Sequence, residues 1–66
     1  MDIAGRIRAK MADTGLNETQ LGKRSGVPQP TINRILSGES ASPRMPTIAK
    51  LARALKVSPE WLMYGI

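Results

Sequence analysis

The chain has 66 residues, ten Lys and Arg against five Asp and Glu, a formal net charge of +5, and neither Cys nor His. A length of this order holds one small domain, which excludes barrels, immunoglobulin sandwiches and doubly wound sheets. Without thiol or imidazole, disulfide scaffolds, zinc fingers and His- or Cys-based catalysis are excluded too, so stability must come from efficient helix packing or oligomerisation.

The first element predicted is a helix over Asp2 to Thr14. Ile3, Ile7 and Met11 recur on one face with Ala4 beside them, and Gly15 suits the left-handed position after its end. Arg6, Arg8 and Lys10 read as a charged, solvated face of this helix. The second helix opens at Asn17, a good N-cap, with Gln20 completing a capping-box pattern and Leu16 and Leu21 placed as a hydrophobic staple. Ser25 and Gly26 end it.

The third helix follows Val27. Pro28 and Pro30 fit only in or near its first turn, where an N–H has no partner to lose. Ile32, Ile35 and Leu36 supply its inward face; Gln29, Pro30, Asn33 and Arg34 fall opposite, and Ser37-Gly38 stops it. Gly38 to Pro46 is polar, holds two prolines and reads as an exposed loop. A fourth helix is expected from about Thr47 to Leu55, with Ile48, Leu51, Ala52 and Leu55 on one face and Lys50, Arg53 and Lys56 in solvent. Ser58-Pro59-Glu60 is a helix start, and the fifth helix carries Trp61, Leu62, Met63 and Tyr64 to Gly65. No alternating strand pattern and no repeat is present. The fold class is therefore all-α, a compact five-helix domain over residues 1–66.

Function is less constrained by composition. The basic balance, with a pI near 10.5, fits a polyanion-binding domain, most often one for nucleic acid, and fits an unspecialised basic surface equally well. No apolar run reaches signal-peptide or membrane-spanning length, so a cytoplasmic protein without a membrane partner is expected. The five acidic residues, at 2, 13, 18, 39 and 60, give no close pair for acid–base work in sequence, and no phosphate-cradling glycine loop precedes a Lys-Ser/Thr pair. An enzyme, a cofactor or a small-molecule substrate is not expected.

The informative stretch is Glu18 to Leu36, two short helices about a turn at Gly26. It resembles the DNA-binding helix-turn-helix, with the motif over about 18–37, and the chain is similar to the phage-repressor and Cro-like family. Leu16-Asn17-Glu18-Thr19-Gln20-Leu21-Gly22 is similar to the first motif helix, Ser25-Gly26-Val27 to the turn, and Gln29-Pro30-Thr31-Ile32-Asn33-Arg34-Ile35 to the recognition helix. Ile48 to Leu62 looks like the family's last two helices. In some relatives a linker and a C-terminal dimerisation or self-cleavage domain follow, so the resemblance fits both an N-terminal domain and a complete small Cro-like protein.

That resemblance implies a sequence-specific regulator, in the first place a repressor, that binds a near-palindromic operator as a weak homodimer and excludes RNA polymerase; the alternative, which the sequence does not separate, is activation by touching RNA polymerase, as in some relatives. Gln29 matches the first base-reading position, and Gln pairs bidentately with adenine. Arg34 suits guanine or phosphate, Asn33 suits adenine, Pro30 suits a thymine methyl, and Thr31 is a lesser candidate. Asn17 matches a phosphate-clamping position, with Gln20, Lys23, Ser37, Ser40 and Arg44 as additions. Trp61 anchors the fifth helix in the core. Because that helix lies near the two-fold axis in similar proteins, Trp61, Met63 and Tyr64 are the candidate dimer interface. Two residues depart from the pattern: Glu18, where Gln is common and where a carboxylate repels phosphate unless it turns away, and Pro28, where a Ser or Thr cap is common. The competing implication is a protein-interaction module on the same fold, an antitoxin or anti-repressor partner acting through the fifth helix or the loop at 39–46.

Overall fold

Five helices follow one another: α1 (Ile3–Thr14), α2 (Glu18–Ser25), α3 (Gln29–Leu36), α4 (Met45–Leu55) and α5 (Pro59–Tyr64). They are seen in a computed structural model that describes residues 2–40 and 42–66. Met1, at the start of the expected domain, and Ala41, within the expected loop, lie outside the described residues.

The helix starts follow from the residues before them. Asp2 accepts the Gly5 N–H at 2.8 Å, and Ser58 accepts the Trp61 N–H at 3.0 Å. At α2 the capping box is complete: Asn17 Oδ1 accepts from the Gln20 N–H at 2.8 Å while Gln20 Oε1 accepts from the Asn17 N–H at 2.9 Å. Helices α3 and α4 have no side-chain cap and carry Pro30 and Pro46 in their first turns instead. Pro46 corrects one expected boundary. Its ring suits the opening turn of a helix, so α4 begins at Met45 rather than near Thr47, and the loop before it is shorter than the sequence suggested.

The apolar stripes converge on one core. Ile7, Leu21, Ile32, Ile35, Ile48, Leu51, Leu55 and Leu62 are each at most 2% exposed, and Leu36 is buried with them. Burial of each such side chain contributes about 1.5–3 kcal/mol, which is how a chain without staples holds together. Helix α1 packs on α3, α4 and α5, and α4 packs on α2 and α5; α3 lies against α1 and α2. No described helix is long and apolar enough to cross a membrane.

Helix α1 brings a second correction. Its basic residues are not a merely solvated face. Arg6 donates from Nε to the Leu62 carbonyl at 2.8 Å and from a terminal guanidinium nitrogen to the Met63 carbonyl at 2.7 Å. Arg8 donates to the Leu36 carbonyl at 3.0 Å. The ammonium of Lys10 lies 5.2 Å from the centre of the Trp61 ring and 3.3 Å from Asp13. The last carbonyls of a helix lack intrahelical donors and carry the negative end of its dipole, so they attract cations. Here α1 supplies the cations that close the ends of α3 and α5.

Candidate nucleic-acid interface

The turn between α2 and α3 fixes the site. Gly26 stands at φ +76° and donates its N–H to the Gly22 carbonyl at 2.9 Å; an L side chain is strained in that conformation. Gly22 marks the close approach of the two helices. A Cβ built there meets the Val27 carbonyl oxygen at 3.2 Å, so an alanine fits with a small shift and anything larger drives α3 away. Ser25 Oγ accepts the Val27 N–H at 3.1 Å and tightens the same turn. With Val27, Ile32 and Ile35 buried, the orientation of α3 about its own axis is set.

That orientation leaves Gln29, Pro30, Asn33 and Arg34 exposed and Thr31 half-buried. The four exposed residues line one shallow hollow together with Glu39. Three of the four have polar neighbours that hold them loosely. Thr19 Oγ donates to Gln29 Oε1 at 3.5 Å, Asn33 Nδ2 donates to Glu18 Oε1 at 3.4 Å, and Arg34 Nε lies 3.8 Å from Glu39 Oε2. Thr19, Glu18 and Glu39 were not among the expected site residues. Glu18 stood out in sequence as a departure, whereas contacts ten and fifteen residues apart follow only from the crossing of α2 over α3.

The expected phosphate contacts fall into two groups. Asn17 and Gln20 sit together at the start of α2. The capping box uses the carbonyl oxygens of both amides, which leaves their NH2 groups as donors beside the outward-pointing N–H groups of the first turn. Lys23 is exposed in the last turn of α2, and Arg44 is exposed as the residue before α4. Ser37 and Ser40 are tied to the chain. The Ser37 hydroxyl donates to the Arg34 carbonyl at 3.0 Å and accepts the Glu39 N–H at 3.4 Å. The Ser40 N–H donates to the Arg34 carbonyl at 3.1 Å, and Ser40 lines a different hollow, with Ile3, Ala4 and Met63. On α5, Trp61 and Met63 are partly buried against the core, and Tyr64 is 63% exposed.

Two short helices locked about a glycine turn, the second presenting a polar face from an apolar base, define a helix-turn-helix domain. The Helix-turn-helix family model matches residues 7–62, and the chain belongs to this family, of phage-repressor and Cro-like type. It is 39% identical over 63 residues to the HTH-type transcriptional regulator PrtR of Pseudomonas aeruginosa, covering 96% of this chain and 24% of that protein. It is 42% identical over 59 residues to the HTH-type transcriptional repressor RghR of Bacillus subtilis, covering 89% and 44%. Against the HTH-type transcriptional regulator for conjugative element SXT of Vibrio cholerae it is 33% identical over 63 residues, covering 96% and 28%. The chain thus spans from about a quarter to under a half of the length of these relatives.

Proposed function

We propose that the chain is a sequence-specific double-stranded-DNA-binding domain of a transcription regulator, a repressor that occupies a near-palindromic operator as a weak homodimer. The observation that carries this reading is the hollow of Gln29, Pro30, Asn33 and Arg34 on the outward face of α3, in a domain whose relatives bear the names of transcriptional regulators and a transcriptional repressor. An α-helix fits the major groove, and a polar face of this composition matches base edges there. Gln29 reads adenine, Asn33 reads adenine or cytosine, Arg34 takes guanine or a phosphate, and Pro30 with Thr31 packs on thymine methyls. Asn17, Gln20, Lys23 and Arg44 take phosphates, and the net charge of +5 draws the domain to DNA. Ser37 contributes less because its hydroxyl is bonded within the chain, and Ser40 because it is half-buried and lines a different hollow.

Tyr64 and Met63, with Trp61 behind them, form the surface through which two copies meet, placing half-sites about one helical turn, roughly 34 Å, apart. Bound there, the pair excludes RNA polymerase from an overlapping promoter. Selection of sites from a random duplex library at near-physiological salt tests the reading. A palindromic consensus bound about a thousandfold or more tighter than scrambled DNA is expected; equal, salt-sensitive affinity for every duplex overturns it.

A further inference from the structure

We propose that Glu18 is a specificity-determining residue which, through Asn33, makes the domain reject guanine at the base that Asn33 faces. The inference rests on the reading of α3 as the base-contacting helix. Glu18 opens α2, and Asn33 lies in the middle of α3 on its exposed side. The two meet across the motif, Asn33 Nδ2 donating to Glu18 Oε1 at 3.4 Å.

The bond gives the Asn33 amide a direction. A side-chain amide has a donor end and an acceptor end, and an exposed one turns over to suit whatever it meets. A carboxylate only accepts, so it holds the nitrogen end of Asn33 toward α2 and leaves Oδ1 facing out with one N–H still free. In the major groove adenine offers a donor at N6 and an acceptor at N7, cytosine a donor at N4, and guanine only the acceptors O6 and N7. Oδ1 with the free N–H suits adenine, and Oδ1 alone suits cytosine. At guanine the free N–H can still reach N7, but Oδ1 then faces O6, acceptor against acceptor, with a carboxylate behind it.

Glu18 is held in this place by more than Asn33. It is half-buried in the first turn of α2, where the helix N-terminus favours a negative group. The same charge stands beside Asn17 and Gln20, so it weakens attraction to phosphate generally. Glu18 therefore exchanges affinity for discrimination, and its two effects separate by substitution. Loss of the carboxylate raises affinity for all duplexes together through charge, and it changes base preference at one position only through Asn33.

The experiment is the same site selection with the wild type, Asn33→Ala, Glu18→Ala and the doubly substituted chain, each first checked for folding by thermal melting. The position whose preference disappears in Asn33→Ala is the one that Asn33 faces. There the wild type should exclude guanine, and Glu18→Ala should admit it by about tenfold relative to adenine or cytosine, the size of one lost base discrimination. Other positions should keep their preferences, and in the Asn33→Ala background the Glu18 substitution should change none. Glu18→Gln, which keeps the size of the side chain without its charge, should move in the same direction. A consensus that is identical in the wild type and Glu18→Ala, or one with guanine at the Asn33 position of the wild type, overturns the role of Glu18 and leaves operator binding standing. No consensus from the wild type overturns both.

Discussion

Helices α1 and α3 look alike in sequence: each has an isoleucine stripe on one face and basic or amide side chains on the other. The structure separates them by what those polar groups touch. On α1, Arg6 and Arg8 donate to main-chain carbonyls at 2.7–3.0 Å, and those carbonyls belong to the ends of other helices. On α3, Gln29, Asn33 and Arg34 meet only side chains, at 3.4–3.8 Å. Backbone acceptors at a helix end are fixed and need a donor. Contacts between exposed side chains contribute little to stability, so these groups can turn to a ligand, and a neighbour such as Glu18 biases which end of an amide they present rather than locking it. The cations of α1 therefore belong to the fold, and the polar face of α3 is free to serve a partner.

The inner faces are where the two helices should behave the same. Ile7 and Ile32 are each 1% exposed, so Ile7→Ala and Ile32→Ala should each cost about 2–5 kcal/mol, enough to unfold much of a small domain at room temperature. Chemical denaturation followed by circular dichroism measures it. A loss well below that range for Ile32 alone would mean that α3 is not held by the core and that its outer face has no fixed orientation.

On the outer faces the two should diverge. Gln29→Ala should cost about 1–3 kcal/mol of binding at the selected operator, relax preference at one base pair, and leave the melting temperature unchanged. Arg6→Met should do the reverse, lowering stability by roughly 1–2 kcal/mol through the loss of charge-assisted hydrogen bonds that include those to the Leu62 and Met63 carbonyls, while leaving the ranking of operator variants as it was. Paired melting and binding curves decide the matter; an Arg6 variant with altered base preference would place α1 in the interface. Arg34→Ala should reduce binding, and the salt slope distinguishes the contact, falling by about one counterion for a phosphate and little for a base.

How far the sequence carries differs between these faces for a physical reason. Stripes, caps and the turn at Gly26 are local, so the ends of α2 and α5 are readable from their caps, α3 is readable to within a residue or two at its start, and the outward set on α3 follows from helical periodicity. The start of α4 is not legible to the residue because a proline signals a loop and a first helical turn alike. Arg6 reads as solvated in sequence because its acceptors, Leu62 and Met63, lie on a helix more than fifty residues away. Glu18 was visible as a departure from a family pattern, but its hydrogen bond to Asn33 needs the crossing of two helices, which no single-helix pattern encodes.

The smallest effect is expected at the C-terminal ends of α1 and α4. α1 ends at Gly15 with φ +70° and α4 ends at Lys56 with φ +60°, the one non-glycine described at positive φ. The left-handed conformation strains an L residue and does not strain glycine. Lys56 is exposed, and its N–H bond to the Arg53 carbonyl at 3.2 Å uses only the backbone, so glycine keeps that bond and loses no packing. Glycine also loosens the unfolded chain, which returns part of the gain. Lys56→Gly should thus raise stability by about 0.5–1 kcal/mol net. A Cβ at Gly15 meets nothing within 4 Å, so Gly15→Lys should lose a similar amount from conformation alone. Melting curves of the two variants should shift in opposite directions by comparable amounts. A neutral Lys56→Gly beside a costly Gly15→Lys would mean that the Lys56 side chain stabilises the end of α4 by about as much as its backbone strains it.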